Sequence, residues 1–212
     1  MKKLLLLALW TVPALAVAQS EELENPGTVS AVQERAYRMS HELTLGVGVL
    51  PLDAFYKGLM AQVGYTYHFS DSFGWQIGRA AYSYNIDSGL KSQLERDFGV
   101  LPTAFSEVRY FVGSDLMWTP LYGKGSWLNH SVTHFEGFGV LGGSVFNLVN
   151  GLNSASTTFR PAVNVGIGLR VYSGRHLSYR FDLTDNVIVS PGGITQVPTL
   201  QLSLGLNFGG TE

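Results

Sequence analysis

The chain has 212 residues, 14% of them charged and 45% hydrophobic, with a formal charge of −2 and no cysteine. The missing cysteine excludes disulfide staples, thiolate metal sites and a cysteine nucleophile, and the missing basic surplus excludes the electrostatic footprint of a nucleic-acid binder. A charge content far below the roughly 25% usual in soluble domains, with 25 glycines and 12% aromatics, fits a chain whose outer surface meets lipid.

Residues 1–18 read as a secretory signal peptide: Lys2 and Lys3 are positive, Leu4–Trp10 opens an apolar stretch, and Ala16-Val17-Ala18 is a small-x-small cleavage site. The mature chain then starts at Gln19, and losing Lys2 and Lys3 takes the charge from −2 to −4. Residues 19–39 form a polar periplasmic lead-in. Its first part, Ser20–Gly27, is acidic, and Val29–Met39 fits either a short helix with a weak apolar face or a linker tucked near a barrel mouth.

From residue 40 to 208 apolar and polar residues alternate with period two, the signature of strands with two different environments. Leu43, Leu45, Val47 and Val49 alternate with Glu42, Thr44, Gly46 and Gly48. After Pro51-Leu-Asp53, Leu59, Ala61, Val63, Tyr65 and Tyr67 alternate with Met60, Gln62, Gly64, Thr66 and His68. Ser70–Ser72 turns into a third strand, about 73–84. A fourth spans about 106–118 with Val108, Tyr110, Val112, Leu116 and Trp118 on one face, and a fifth about 132–146. In the sixth, Phe159, Pro161, Val163, Val165, Ile167, Leu169 and Val171 oppose Arg160, Ala162, Asn164, Gly166, Gly168 and Arg170. Ser173–Arg175 turns into a seventh, where Leu177, Tyr179, Phe181 and Leu183 oppose Ser178, Arg180, Asp182 and Thr184. The eighth, Leu200–Phe208, sets Leu200, Leu202, Leu204, Leu206 and Phe208 against Gln201, Ser203, Gly205 and Asn207. Residues 209–212 are a tail.

A greasy face of Leu, Val and Phe opposite a small polar face inverts the pattern of a soluble sandwich. It predicts an all-β fold: an eight-stranded antiparallel transmembrane β-barrel of outer-membrane type, apolar outside and polar inside. Each segment is long enough for the 9–11 residues that a tilted strand needs. Both chain ends fall in the periplasm, with short turns there and longer loops outside, except for a long periplasmic connection over 119–131. Tyr67, Phe69, Phe73, Trp75, Trp118, Tyr122, Trp127, Tyr172 and Phe208 lie near the periplasmic ends. They fit an interfacial aromatic girdle, against the plainer reading of aromatic enrichment in strands.

The stretches Glu42–Gly58 (ELTLGVGVLPLDAFYKG), Gly64–Phe69 (GYTYHF), Pro120–Lys124 (PLYGK) and Arg160–Gly168 (RPAVNVGIG) carry a resemblance. The chain resembles the myxobacterial-type outer-membrane β-barrel domain family from about Val29 to Phe208. The resemblance implies the barrel and brings no catalytic or binding residues. Many barrels end on an aromatic read by the assembly machinery; here Phe208 is followed by a Gly-Gly-Thr-Glu tail that displaces that signal.

Six charges fall on faces expected to line the lumen: Glu42, Glu107, Arg109, Arg170, Arg180 and Asp182. They fit a structural salt-bridge network or, alternatively, a gated ion path. Ser88–Gly99, with Leu90, Leu94 and Phe98 four apart, fits a short amphipathic helix in an outer loop, packed on the rim or docking a partner. Gly-Val-Leu-Pro recurs at 48–51 and 99–102 as a weak repeat. His130, Ser131, His134 and Glu136 supply the residue types of a hydrolase, yet adjacent strand residues point opposite ways and His134 and Glu136 share one face. No catalytic, metal or cofactor site is therefore assigned, and no cofactor is expected. The expected function is a plugged outer-membrane barrel acting as a structural or interaction protein of the Gram-negative envelope. A narrow channel and a lipid-modifying hydrolase are the alternatives. Expected partners are outer-membrane lipids, the barrel assembly machinery during biogenesis, and an envelope protein docking on 85–105 or 119–131.

Overall fold

The computed structural model describes residues 40–51, 56–87, 96–97, 99, 106–127, 131–150, 157–191 and 193–210. The signal peptide 1–18, the lead-in 19–39 and His130 lie outside them, as does most of the 88–99 segment. Of that segment, Arg96 and Asp97 are helical and Gly99 has a φ of 63°, the left-handed conformation of a helix-ending glycine.

The strands are β1 (His41–Pro51), β2 (Tyr56–His68), β3 (Phe73–Asp87), β4 (Ser106–Trp127), β5 (Ser131–Asn150), β6 (Thr157–Tyr172), β7 (Leu177–Ser190) and β8 (Gly193–Phe208). Each pairs antiparallel with its chain neighbour, and β1 pairs with β8 to close an eight-stranded barrel. Closure gives every strand a hydrogen-bonded neighbour on both sides, the condition for strands to stand in lipid. The first and last strands meet at one end of the barrel: His41 pairs with Phe208 and their rings stack at 5.4 Å. The turns after β2 and β6 lie at this same terminal end, opposite the loop end that holds the connection after β3.

Alternation puts Leu45, Val47, Leu116, Leu141, Ile167 and Leu202 on the outer wall, all exposed, and Glu42, Thr44, Gln62, Asn164 and Gln201 inside, all buried. An outer wall this apolar is a surface built for hydrocarbon.

Two connections differ from expectation. The segment 119–131 is no long loop: β4 and β5 run on through it as a hairpin, paired from Leu121↔Gly137 to Trp127↔Ser131. Pro120, Gly123 and Gly125 read as strand breakers in the sequence. Here Pro120 falls in the register shift between Trp118 and Leu121, where a missing N–H interrupts no ladder bond. β3 pairs with β4 only as far as Phe73↔Trp118, and the Thr119 amide donates to the Ser72 carbonyl at 2.7 Å. Beyond that point no strand among the described residues pairs with β4 on its β3 side. The hairpin stretch of β4, at about 3.4 Å per residue, is roughly 30 Å of strand. Likewise β7 and β8 extend to a two-residue connection, with Ser190 opposite Gly193, where expectation ended them at Thr184 and Leu200.

Candidate functional site in the barrel lumen

The lumen is built in two layers. At the loop end Leu50, Met60, Ala81, Val108, Phe111, Phe146, Ala162, Ile188 and Val197 form one buried cluster. Every strand from β1 to β8 supplies at least one of these side chains, so apolar side chains ring the lumen at this level, with the buried Ser83 and Asn186 between them opposite Met60 and Val197. The Phe111 and Phe146 rings stack at its centre with centroids 4.5 Å apart.

Below the ring lies a network of charges. Arg170 on β6 is 1% exposed and reaches across the lumen. Its Nη1 donates to Glu136 Oε2 at 2.8 Å and its Nη2 to Glu42 Oε2 at 2.6 Å. Glu136 Oε2 also accepts the Tyr172 hydroxyl at 3.0 Å, and Glu42 Oε2 lies 3.2 Å from His68 Nε2. Arg180 sits 3.6 Å from Glu42 and donates to Asp182 Oδ1 at 2.9 Å. Nearer the ring, Arg79 Nε lies 3.2 Å from Asp115 Oδ2. Asn164 donates to Asp115 Oδ1 at 2.8 Å and accepts from the Ser144 hydroxyl at 2.6 Å. Buried charges survive in a low-dielectric interior when they are paired and hydrogen-bonded like this.

Aromatic rings complete the filling. The guanidinium carbons of Arg170 and Arg180 lie 5.3 and 4.8 Å from the Phe138 centroid, and that of Arg79 lies 5.3 Å from the Phe111 centroid. Phe138 fits because it rests on Gly168, where an added Cβ would come within 2.3 Å of the ring's Cζ. Gly168 is required by that close approach.

Of the six charges expected in the lumen, Glu42, Arg170, Arg180 and Asp182 meet in this network. Glu107 is half-buried at the loop end, 3.4 Å from the Asn85 amide that donates to it. Arg109 is a correction: it is exposed, because the β4 register shifts between Val108 and Tyr110 and strand parity reverses there. The same shift buries Val108, expected on the outer face. Arg79 goes the other way. An irregularity between Gln76 and Arg79 turns it inward, and only Gly78 hinted at this in the sequence. Asp115 was legible from alternation with Leu116.

Of the girdle residues, Tyr67, Phe69, Phe73, Trp75, Trp118 and Phe208 are exposed, and the side chain of Trp127 lies outside the described residues. Tyr172 is a second correction. It is 4% exposed and bonds Glu136 inside the barrel, since period two places it with Arg170 rather than Val171. Tyr122 is a third. The register shift at Trp118/Leu121 turns it to the inner side of the hairpin, where its hydroxyl hydrogen-bonds His134 Nδ1 at 2.7 Å. His134 and Glu136 do share a face, the inner one, and both are buried. Among the described residues no group of three His, Cys, Asp or Glu side chains is arranged to hold a metal ion.

No family model and no curated protein matches this chain. Among solved structures it is similar to the N-terminal β-barrel domain of Pseudomonas aeruginosa OprF, at 14% identity and a TM-score of 0.46, covering 79% of this chain and 96% of that one. It is similar to Neisserial surface protein A at 12% identity and a TM-score of 0.47, covering 80% and 97%. Ail, the attachment invasion locus protein of Yersinia pestis, is similar at 13% identity and a TM-score of 0.42, covering 80% and 97%. Likeness at this level carries no argument about activity.

Proposed function

We propose that the chain is a sealed outer-membrane barrel that acts through its surfaces, as a structural or interaction protein of the envelope without catalysis. The apolar ring carries this reading. An ion crossing it would leave water for a layer dominated by Leu, Met, Phe, Ile, Val and Ala, where the buried Ser83 and Asn186 at the same level replace little of its hydration. Below the ring the three guanidinium groups of Arg79, Arg170 and Arg180 are held by Asp115, Glu42, Glu136 and Asp182. A gated ion path needs a continuous polar lumen, and the ring interrupts it. The resemblance to the myxobacterial-type family, carried by the sequence stretches quoted above, is part of this proposal. The expected result in planar bilayers is an absence of unitary currents from purified, refolded protein; steady conductance steps would sink the sealed-barrel reading.

The β4–β5 hairpin supports the interaction half of the proposal. Beyond Thr119 the β3-facing edge of β4 offers backbone donors and acceptors to an added strand from a periplasmic partner. With an affinity tag after Gln19, the full-length barrel is expected to co-purify a stoichiometric partner from outer membranes. A barrel with Gly123–Phe135 replaced by Asn-Gly, which closes the hairpin after the Tyr122↔Glu136 pair with a tight turn, is expected to lose it. A full-length barrel that elutes alone overturns this half while leaving the conductance result standing.

A further inference from the structure

The outer wall of β2–β4 carries two adjoining features that the sealed lumen does not use. The first is a groove of about 470 Å³. Ala61 and Ala80 form a low patch in a belt otherwise built of larger apolar side chains, and Leu45, Val63, Tyr82 and Tyr110 stand around it. The second lies one level toward the loop end. Pairing of β3 with β4 stops at Tyr82↔Tyr110, although β3 continues beside β2 to Asp87 and β4 begins at Ser106. This parting of the strands leaves a cleft of about 230 Å³ lined by Tyr82, Tyr84, Asn85, Glu107 and Arg109. Asn85 bridges its inner side by donating to the Val108 carbonyl at 3.1 Å. Tyr82 lines both groove and cleft, so the two adjoin.

Arg109 gives this surface its chemistry. The β4 bulge that removes it from the lumen exposes its guanidinium at the cleft, and among the described residues it makes no ion pair; the other charge of the cleft, the half-buried Glu107, accepts from the Asn85 amide at 3.4 Å. A lone arginine on the lipid face is costly at the bilayer midplane and tolerated near the interface. Its fork of donors matches a phosphate. The exposed Tyr82 and Tyr84 beside it are the amphipathic rings that favour the headgroup level. With the cleft's one carboxylate engaged by Asn85, the exposed Arg109 at the end of an apolar groove suits an amphiphile with a negatively charged, phosphate-bearing head.

We propose that the β2–β4 wall is a binding site for one anionic phospholipid, its phosphate held by Arg109 in the β3–β4 cleft and an acyl chain lying in the Ala61–Ala80 groove. The site is outside the barrel and independent of whether the lumen conducts.

Native mass spectrometry of the refolded full-length barrel in non-ionic detergent tests it, with dimyristoylphosphatidylglycerol and dimyristoylphosphatidylcholine added separately. The wild type is expected to retain one phosphatidylglycerol and to hold it more tightly than phosphatidylcholine. Arg109→Gln is expected to weaken phosphatidylglycerol about tenfold, the order for losing a charge-assisted hydrogen bond, and to abolish the preference. Ala80→Leu fills the groove and is expected to weaken both lipids. Arg175→Gln, at an exposed arginine in the turn after β6, is expected to bind as wild type does. Both test positions face outward, and heat-dependent gel mobility reports folding for each variant. Equal retention of the two lipids by the wild type, or unchanged retention in folded Arg109→Gln and Ala80→Leu, overturns the site.

Discussion

Arg170→Met is expected to destabilise the barrel by about 3–5 kcal/mol, the range for removing one partner of a buried ion pair. Arg170 neutralises two carboxylates at once, at 2.6 Å to Glu42 and 2.8 Å to Glu136. Methionine fills much of the volume but leaves both carboxylates buried beneath the apolar ring. The damage is therefore electrostatic rather than steric, and this gives a sharp control. Adding Glu42→Gln and Glu136→Gln to Arg170→Met is expected to recover most of the loss, because neutral amides need no counter-charge. Urea unfolding in phospholipid vesicles, followed by tryptophan fluorescence and gel mobility, measures all of the variants. An Arg170→Met barrel as stable as wild type would mean that the network does not hold the lumen together. A triple variant no better than the single one would place the cost in packing against Phe138 and Met117.

Phe146→Ala is expected to cost about 3–5 kcal/mol, as large aromatic-to-alanine changes in packed cores do. Phe146 is 0% exposed and its ring stacks on Phe111, which is in turn capped by Arg79. The double variant Phe111→Ala/Phe146→Ala is expected to lose less than the sum of the singles, since the two rings contact each other and share the space they leave. Both are read by the same urea midpoint. Additive losses would show that the rings are energetically independent and that the apolar layer is not one packed unit. Arg170→Met and Phe146→Ala together separate the two layers: the first strips charge compensation from below the ring, the second opens the ring itself.

How legible this molecule is from its sequence varies along the chain. Period-two alternation in β1, β2, β6 and β8 is unbroken, and there, Tyr172 apart, the side chains face as read: Leu45 and Leu202 outward, Glu42 and Arg170 inward. Pro120, Gly123 and Gly125 carry turn chemistry, which hides the β4–β5 hairpin in the sequence. At a register shift and beyond the last β3 partner, a proline displaces no hydrogen bond. Pro191, Gly192, Gly193 and Pro198 likewise mask in the sequence how far β7 and β8 extend. The lumen network was half visible. Glu42, Arg170, Arg180 and Asp182 follow from parity, as Asp115 and Tyr172 do when the alternation is followed strictly. That Arg170 reaches both Glu42 and Glu136 did not follow, because β1, β5 and β6 are brought around one lumen only when β8 closes on β1.

By itself the sequence determined the architecture: alternating strands, a lipid-compatible outer face and a polar inner face, since a period of two gives each strand two sides and low charge with abundant Leu, Val and Phe assigns one side to hydrocarbon. The tertiary structure decided where each remaining charge went. A β-bulge adds one residue to one strand of a pair, reversing the parity of all that follows, and its position is fixed by the register with the neighbouring strand. That is why Arg79 lies inside against Asp115, Arg109 lies outside beside Tyr84, and the apolar ring closes across eight strands that share no local sequence signal.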